Sequence, residues 1–328
     1  MPPFRKPAFP FSYDLAREKA RLSRHFRERG VPAKSPANTL VATWNLANFG
    51  HPKQARRPKD IGLIAHILRR FDVVAVQEVH DNLGDLRRLL GRLGRRFEAV
   101  FTDPAGNSER MAYIYDRERV RPTELFAELA LVDRQRRSVK VEFKGKTRLF
   151  KGFNRNPYIV SFARVGGKGR GFAFTLVNVH LYYGAASGVK FQDRLLEVKA
   201  LSDWARKRSR AKTVYNDKII LLGDMNLPAL TKEDPIYNTL RRRGLHLTDY
   251  TSNVDHNGSN LDGKRPYDQI AFIPEKTMKD YRGVCGIFDY DRVTFARLYD
   301  GGRRIKDFRA YLRYYVSDHR PLWAAFRA

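Results

Sequence analysis

From Thr39 onward, short apolar runs alternate with stretches of helical periodicity, and this alternation restricts the fold more than any other feature of the chain. Leu40–Trp44 is a compact apolar run. Ile61, Ile64, Ala65, Ile67 and Leu68 then recur at helical spacing, and Val73–Val76 reads as a buried strand. Leu83, Leu86, Leu89 and Leu90 predict a second helix, followed by a strand at Phe97–Phe101. Further strands are predicted over Met111–Tyr115, Tyr158–Phe162, Phe172–Val179 and Ile219–Leu222, with an amphipathic helix over Phe191–Arg210 between the last two. Tyr267–Ile273 and Pro321–Phe326 close the series. Such alternation implies an α/β architecture, and the hairpin-like middle implies mixed sheets. Residues 133–152 and 184–190 read as long polar or glycine-containing connections, which in compact domains tend to be functional.

Bulk properties narrow the class further. With 328 residues and 42% hydrophobic content, the chain can bury a sizeable core. No apolar run approaches the roughly 20 residues that a membrane helix needs. The opening stretch Met1–Asp14 is basic but lacks the apolar core of a secretory signal. Cys285 is the only cysteine, so no intrachain disulfide forms and a cytoplasmic location is expected. Lys+Arg 63 against Asp+Glu 35 gives a net charge of +28, which implies strong, salt-sensitive attraction to polyanions. A generally basic proteome or an anionic membrane surface is also compatible with that charge. Residues 1–38 read as a basic N-terminal extension with a helix ending at Gly30; it either touches phosphates or packs on the body. No composition shift divides residues 39–328, which are expected to form one catalytic domain, and a monomer is expected.

Several apolar runs end abruptly in a polar residue suited to chemistry. Trp44 precedes Asn45; Val76 precedes Gln77 and Glu78; Val179 precedes His180. Leu222 precedes Gly223-Asp224-Met225-Asn226, Tyr267-Asp268 opens a strand, and Ser317-Asp318-His319 precedes another. One such residue is commonly a cap or turn residue, but a whole series at strand ends, where α/β folds assemble their sites, is hard to explain that way. Oxygen ligands such as Glu78, Asp318 and the Asn45 amide suit Mg²⁺. A histidine held by a carboxylate can orient or deprotonate water near neutral pH. Zinc is unsupported, because Cys285 stands alone and no histidine pair has helical zinc spacing. His51, His66, His246 and His256 lack any motif context and are expected to be structural or superficial.

Taken in order, Trp44-Asn45-Leu46, Val76-Gln77-Glu78-Val79, Val179-His180, Gly223-Asp224-Met225-Asn226, Tyr267-Asp268-Gln269-Ile270 and Ser317-Asp318-His319 resemble the motif set of the deoxyribonuclease I-like endonuclease/exonuclease/phosphatase superfamily. Arg69–Val79, Glu109-Arg110 and Arg155-Asn156-Pro157 resemble the deoxyribonuclease I branch in particular. The resemblance implies a four-layered αββα sandwich of two mixed β-sheets flanked by helices, with the site at one edge. It implies Glu78 as the main Mg²⁺ ligand, beside Asn45, with Mn²⁺ able to substitute. Asp318 would belong to the metal site or its water shell. His319, held by Asp268, would align or activate the attacking water. Asp224 would take part in proton transfer, and Asn226 would contact the scissile phosphate. His180 would bind phosphate or serve as the acid, with Glu109 as its partner. Arg155 matches a phosphate-contacting arginine, although a solvated loop arginine fits the sequence nearly as well.

The implied activity is Mg²⁺-dependent hydrolysis of phosphodiester bonds, as an endonuclease acting on DNA rather than RNA with little sequence specificity. The same chemistry on sphingomyelin, a phosphoinositide or a nucleotide is the alternative, since fold does not choose substrate. A non-catalytic binder would not be expected to keep the whole polar set. Two positions depart from the family pattern. His80 stands where a DNA-contacting arginine is familiar, and Asn107 where a tyrosine is expected. The basic loop Arg134–Lys151 is a substitute source of backbone contacts. A bilayer enzyme would be expected to expose an aromatic hairpin; Phe288-Asp289-Tyr290 is a poor candidate, and Tyr182-Tyr183 fits a loop near the site.

Overall fold

The computed structural model describes residues 4–166, 171–183, 185, 187–255 and 258–328. Its strands are β1 (Asn38–Phe49), β2 (Val73–His80), β3 (Phe97–Phe101), β4 (Glu109–Asp116), β5 (Val120–Glu128), β6 (Lys140–Phe143), β7 (Lys146–Leu149), β8 (Tyr158–Arg164), β9 (Ala173–His180), β10 (Ile219–Asp224), β11 (His246–Leu247), β12 (Asp268–Phe272), β13 (Tyr281–Ile287) and β14 (Leu322–Arg327). Its helices are α1 (Leu15–Glu28), α2 (Pro58–Leu68), α3 (Gly84–Leu93), α4 (Asp133–Ser138), α5 (Gly188–Arg210), α6 (Pro235–Arg242), α7 (Pro274–Thr277), α8 (Ala296–Tyr299) and α9 (Ile305–Tyr315).

Side-chain alternation along the strands builds the layers. In β1, Leu40, Ala42 and Trp44 join a core with residues of α1, α2, α3 and α9, whereas Val41 faces the opposite sheet. In β10, Ile220 and Leu222 face that same inter-sheet core, whereas Ile219 and Leu221 pack with Val198 and Leu201 of α5 and Ile236 and Leu240 of α6. Three apolar cores therefore separate four layers: helices, sheet, sheet, helices. One sheet runs β13-β14-β1-β2-β4-β3 and the other β11-β12-β10-β9-β8-β5. Both are mixed, with β1–β2 and β9–β10 parallel and their outer neighbours antiparallel. The expected αββα sandwich is the observed fold.

Strand direction decides where the chemistry gathers. The parallel strands end where their antiparallel neighbours begin. Asp224 at the end of β10 pairs with His180 at the end of β9 and with Asp268 at the start of β12. In the other sheet, Asn45 pairs with Gln77, and His80 with Glu109 at the start of β4. Behind this edge the two sheets are tied by polar side chains. Gln77 Nε2 donates to Asn178 Oδ1 (2.6 Å), and Asn178 Nδ2 donates to the carbonyls of Val76 (3.1 Å) and Ala112 (3.0 Å).

Some expectations need correction. Residues 133–152 are not an irregular connection: they hold α4 and the β6–β7 hairpin. Within 184–190, α5 begins at Gly188, and Gly184 and Ala186 lie outside the described residues. His256 also lies outside them. Strand β5 escapes sequence reading because Pro122 interrupts an edge strand that is only half buried. Strand β13 carries Gly283 and Gly286, which weaken its pattern. Of the two roles open to the basic helix α1, packing on the body is the one observed: Leu22 and Phe26 are buried, and Phe26 stacks on Phe288 at 3.9 Å. Among the described residues, no helix is long and apolar enough to cross a membrane. Cys285 is buried and free.

Candidate active site

Both central strands of the first sheet break their ladders at the polar edge. The β1–β2 register shifts between Asn45 and Phe49, and the β2–β4 register shifts between Val76 and Val79. Ala47 (φ 47°), Asn48 (φ 55°) and Glu78 (φ 58°) occupy the left-handed region there, as does Asn226 (φ 52°) beyond β10. Each such residue costs on the order of 1 kcal/mol or more and persists only where its surroundings hold it, typically at functional sites. Gly223 (φ 138°) cannot be replaced cheaply, because a Cβ there would sit 2.1 Å from the Val179 carbonyl oxygen.

The strain is held by hydrogen bonds to the carboxylates. Glu78 Oε2 accepts from the Asn48 amide (2.9 Å), and Oε1 accepts from Asn45 Nδ2 (2.8 Å). Asn45 Nδ2 also reaches Asp224 Oδ2 (3.1 Å), joining the two sheets, while its Oδ1 accepts from the Ala47 amide (2.9 Å). Asn45 thus turns its N–H groups, not its oxygen, toward the acids. Asp224 Oδ1 accepts from the Asn226 amide (3.0 Å), and Asn226 Nδ2 donates to the Leu181 carbonyl (2.8 Å).

Two histidines flank Asp224, each with a carboxylate behind it. His319 Nδ1 lies 2.8 Å from Asp268 Oδ2, which also accepts from Ser259 Oγ (2.6 Å). His180 Nδ1 lies 3.3 Å from Glu109 Oε2, which accepts from Arg155 Nε (2.7 Å). Both Nε2 atoms stand 3.8 Å from Asp224 Oδ2, and His180 Nε2 is 3.9 Å from Glu78 Oε1. Burial opposes charge on His319, but Asp268 and Asp224 outweigh it and hold the imidazole well above its usual range. Burial likewise opposes charge on Glu109, but His180 and Arg155 overcome it and keep the carboxyl well below the usual range. Arg155 is buried, at 6% exposure, rather than a solvated loop residue.

These groups share a cavity of about 440 Å³ lined by Arg155, His180, Asp224, Asn226, Asp318 and His319, with Asn107, Tyr182, Tyr183 and Tyr267 at its walls. Glu78 and Asn45 are not part of its lining but are bonded to each other and, through Asn45, to Asp224. Asp318 Oδ1 is buried without a hydrogen-bond partner, and burial together with Glu78 pushes its pKa up. An orphaned carboxylate oxygen close to a second acid is a fit for a hard cation. Asp224, Asp268 and His319 also bring one ligand atom each within 4.8 Å of one another, a buried group able to hold a metal ion. The 2.8 Å His319–Asp268 contact makes that trio better suited to proton chemistry.

Every residue expected at the site therefore meets at this edge. His66, bonded to Ser23 Oγ at 3.0 Å, and His246, against Phe272, lie elsewhere, while His51 packs on His80. Sequence reasoning did not assign Ser317, whose Oγ donates to the Asn45 carbonyl (2.6 Å) and accepts from the His319 amide (2.9 Å). Ser259 was equally silent, since its Gly-Ser-Asn setting has no periodicity. Glu197 was legible in principle, as an acid flanked by Leu196 and Val198 on the buried face of α5. Its two oxygens accept from the amides of Asn154 (2.6 Å) and Tyr182 (2.7 Å), pinning the loops that carry Arg155 and Tyr183.

Burial pushes Glu197 up to about 7, although both amides pull the other way. A carboxyl raised on folding contributes stability that is fully present below its ordinary pKa and is lost as pH rises through the folded value. From pH 4.5 to above 7 the loss approaches about 3 kcal/mol at 1.36 kcal/mol per unit. Thermal unfolding of Glu197→Gln is expected to lack this component: the stability difference between wild type and variant should shrink as pH rises from 5 to 8. A constant difference would refute the assignment.

The endonuclease/exonuclease/phosphatase family model matches residues 42–319. A deoxyribonuclease of Thioalkalivibrio sp. (strain K90mix) is 25% identical over 208 residues, covering 60% of this chain and 49% of that one. The chain thus spans about half the length of this curated relative. An endonuclease/exonuclease/phosphatase family protein from Bacteroides thetaiotaomicron has a similar structure (TM-score 0.52, 16% identity, 90% of this chain and 99% of that one). So does D. rerio TDP2 complexed with single strand DNA product (TM-score 0.53, 14% identity, 89% of this chain and 99% of that one). At these identities the two structures speak for the fold alone.

Proposed function

We propose, from the premise that this chain belongs to the endonuclease/exonuclease/phosphatase family, that it hydrolyses phosphodiester bonds in DNA with Mg²⁺ and little sequence preference. The observation that carries the reading is the pair of carboxylate-backed imidazoles, each with Nε2 at 3.8 Å from Asp224. Displacement at phosphorus needs a base for the entering water on one side and an acid for the leaving oxygen on the other. Two histidines about one central carboxylate provide both.

Glu78 and Asp318 would hold the cation, with Asn45 available on rotation of its amide. When bound, Mg²⁺ would neutralise charge building on the phosphoryl oxygens. Asp268 fixes His319 through Nδ1 and keeps it protonated, so that Nε2–H orients the attacking water while Asp224 is at hand to receive that water's proton. Glu109, kept ionised and oriented by Arg155, holds His180 so that its Nε2 faces the cavity, where it meets a phosphate oxygen or protonates the departing one. Asn226, held at Leu181 through one N–H, offers the other to the scissile phosphate.

The choice of DNA is supported by the +28 charge, since phosphate contacts supply affinity without reading bases. The deoxyribonuclease relative points the same way. A bilayer substrate is disfavoured because Phe288 and Tyr290 are fully buried. The single buried Cys285 suits a reducing compartment.

Purified protein is expected to cleave plasmid and oligonucleotide DNA with Mg²⁺ or Mn²⁺ and to stop on adding EDTA. Raising salt from about 50 to about 200 mM should weaken DNA binding steeply, by an order of magnitude or more. Turnover of sphingomyelin or an inositol phosphate without turnover of DNA would replace this reading.

A further inference from the structure

Next to the catalytic histidine is an aromatic ledge that the hydrolytic scheme does not use. Tyr183 is 56% exposed, at the wall of the cavity that holds His180, Asp224 and His319. Its ring stands against Tyr267 at 6.1 Å and 89°, and Tyr267 in turn lies 5.9 Å from the His319 ring. Tyr267 cannot drift, because its carbonyl accepts from the Met225 amide (2.9 Å) and it adjoins Asp268 at the start of β12. Tyr183 is positioned from the other side, since the preceding amide is held by Glu197. An edge-on partner restrains the plane of Tyr183 and leaves ring surface open to solvent.

We infer that Tyr183, braced by Tyr267, stacks on an unpaired nucleobase adjoining the scissile phosphate, so that the preferred substrate is DNA that is single-stranded at the cut. This rests on the nuclease reading above and names its substrate class. In a duplex both faces of each base are covered by neighbours, and none is free to meet a ring. An unpaired base pays little to leave the stack, and a base–aromatic stack contributes roughly 1–3 kcal/mol without reading sequence.

The test compares one oligonucleotide sequence as single strand and as blunt duplex. Wild type should cleave the single strand with the lower KM. Tyr183→Ala should raise that KM roughly ten-fold, the equivalent of about 1.4 kcal/mol, with a smaller effect on kcat and on the duplex. Tyr183→Phe should restore it. Separately, a single strand carrying 2-aminopurine should lose fluorescence on binding to His319→Ala, and less so when Tyr183→Ala is added. If wild type cleaves both forms and Tyr183→Ala leaves KM and 2-aminopurine quenching unchanged, the ledge is refuted while the nuclease reading stands. If wild type cleaves neither form, both readings fall.

Discussion

Glu78→Gln is expected to lower kcat for DNA cleavage by roughly three orders of magnitude while leaving the fold intact. The fold should survive because glutamine keeps one oxygen to accept from the Asn48 amide and is nearly the same size. The chemistry should not survive, because Glu78 is the acid that the β2 bulge thrusts into the site at φ 58°. Strain of this kind is retained where the charge it positions is needed. The substitution would also remove negative charge beside Asp318, so half-maximal activity should require more Mg²⁺ or Mn²⁺. Far-UV circular dichroism and thermal unfolding check the fold, and a metal titration of residual cleavage checks the role. Wild-type turnover in this variant would exclude Glu78 as the cation's principal ligand.

His319→Ala should be the other severe lesion, with kcat down by roughly 10³–10⁴-fold. Asp268→Asn is expected to come close to it, although the imidazole remains. The asparagine cannot balance the charge of a protonated His319, and it can present an N–H where Nδ1 needs an acceptor. The two residues act as a unit, so the double variant should be barely worse than His319→Ala alone. Single-turnover rates on a labelled oligonucleotide measure this directly. Fully additive losses would mean that Asp268 and His319 serve separate steps, against their 2.8 Å contact. His180→Ala provides the contrast, because its partner Glu109 is held independently by Arg155 at 2.7 Å.

Much of the fold is readable from residue order alone. The alternation of apolar runs with helical spacing places nine strands close to where they are found; the expected strand at Phe97–Phe101, for example, coincides with β3. Val41 and Leu40 illustrate why: a period of two sorts neighbouring residues onto opposite faces, and burying both faces demands layers on either side. The polar endings Asn45, Glu78, His180 and Asp224 are visible because each interrupts a run that burial would otherwise keep apolar. What escapes is set by contacts distant in sequence. Pro122 and the β13 glycines make poor strands locally, and those segments become strands only because a neighbour is there to pair with.

The site divides in the same way. Residue order alone singled out Asn45, Glu78, His180, Asp224, Asp268, Asp318 and His319 as candidates at strand ends, since each interrupts or adjoins an apolar run. Only the tertiary structure decided that strand direction brings all those ends to one edge, that both imidazoles meet the same Asp224 oxygen, and that Arg155 backs Glu109 instead of lying in solvent. The physical reason is that strand pairing and burial join residues as far apart as Asn45 and Ser317, and no local preference encodes such a distance.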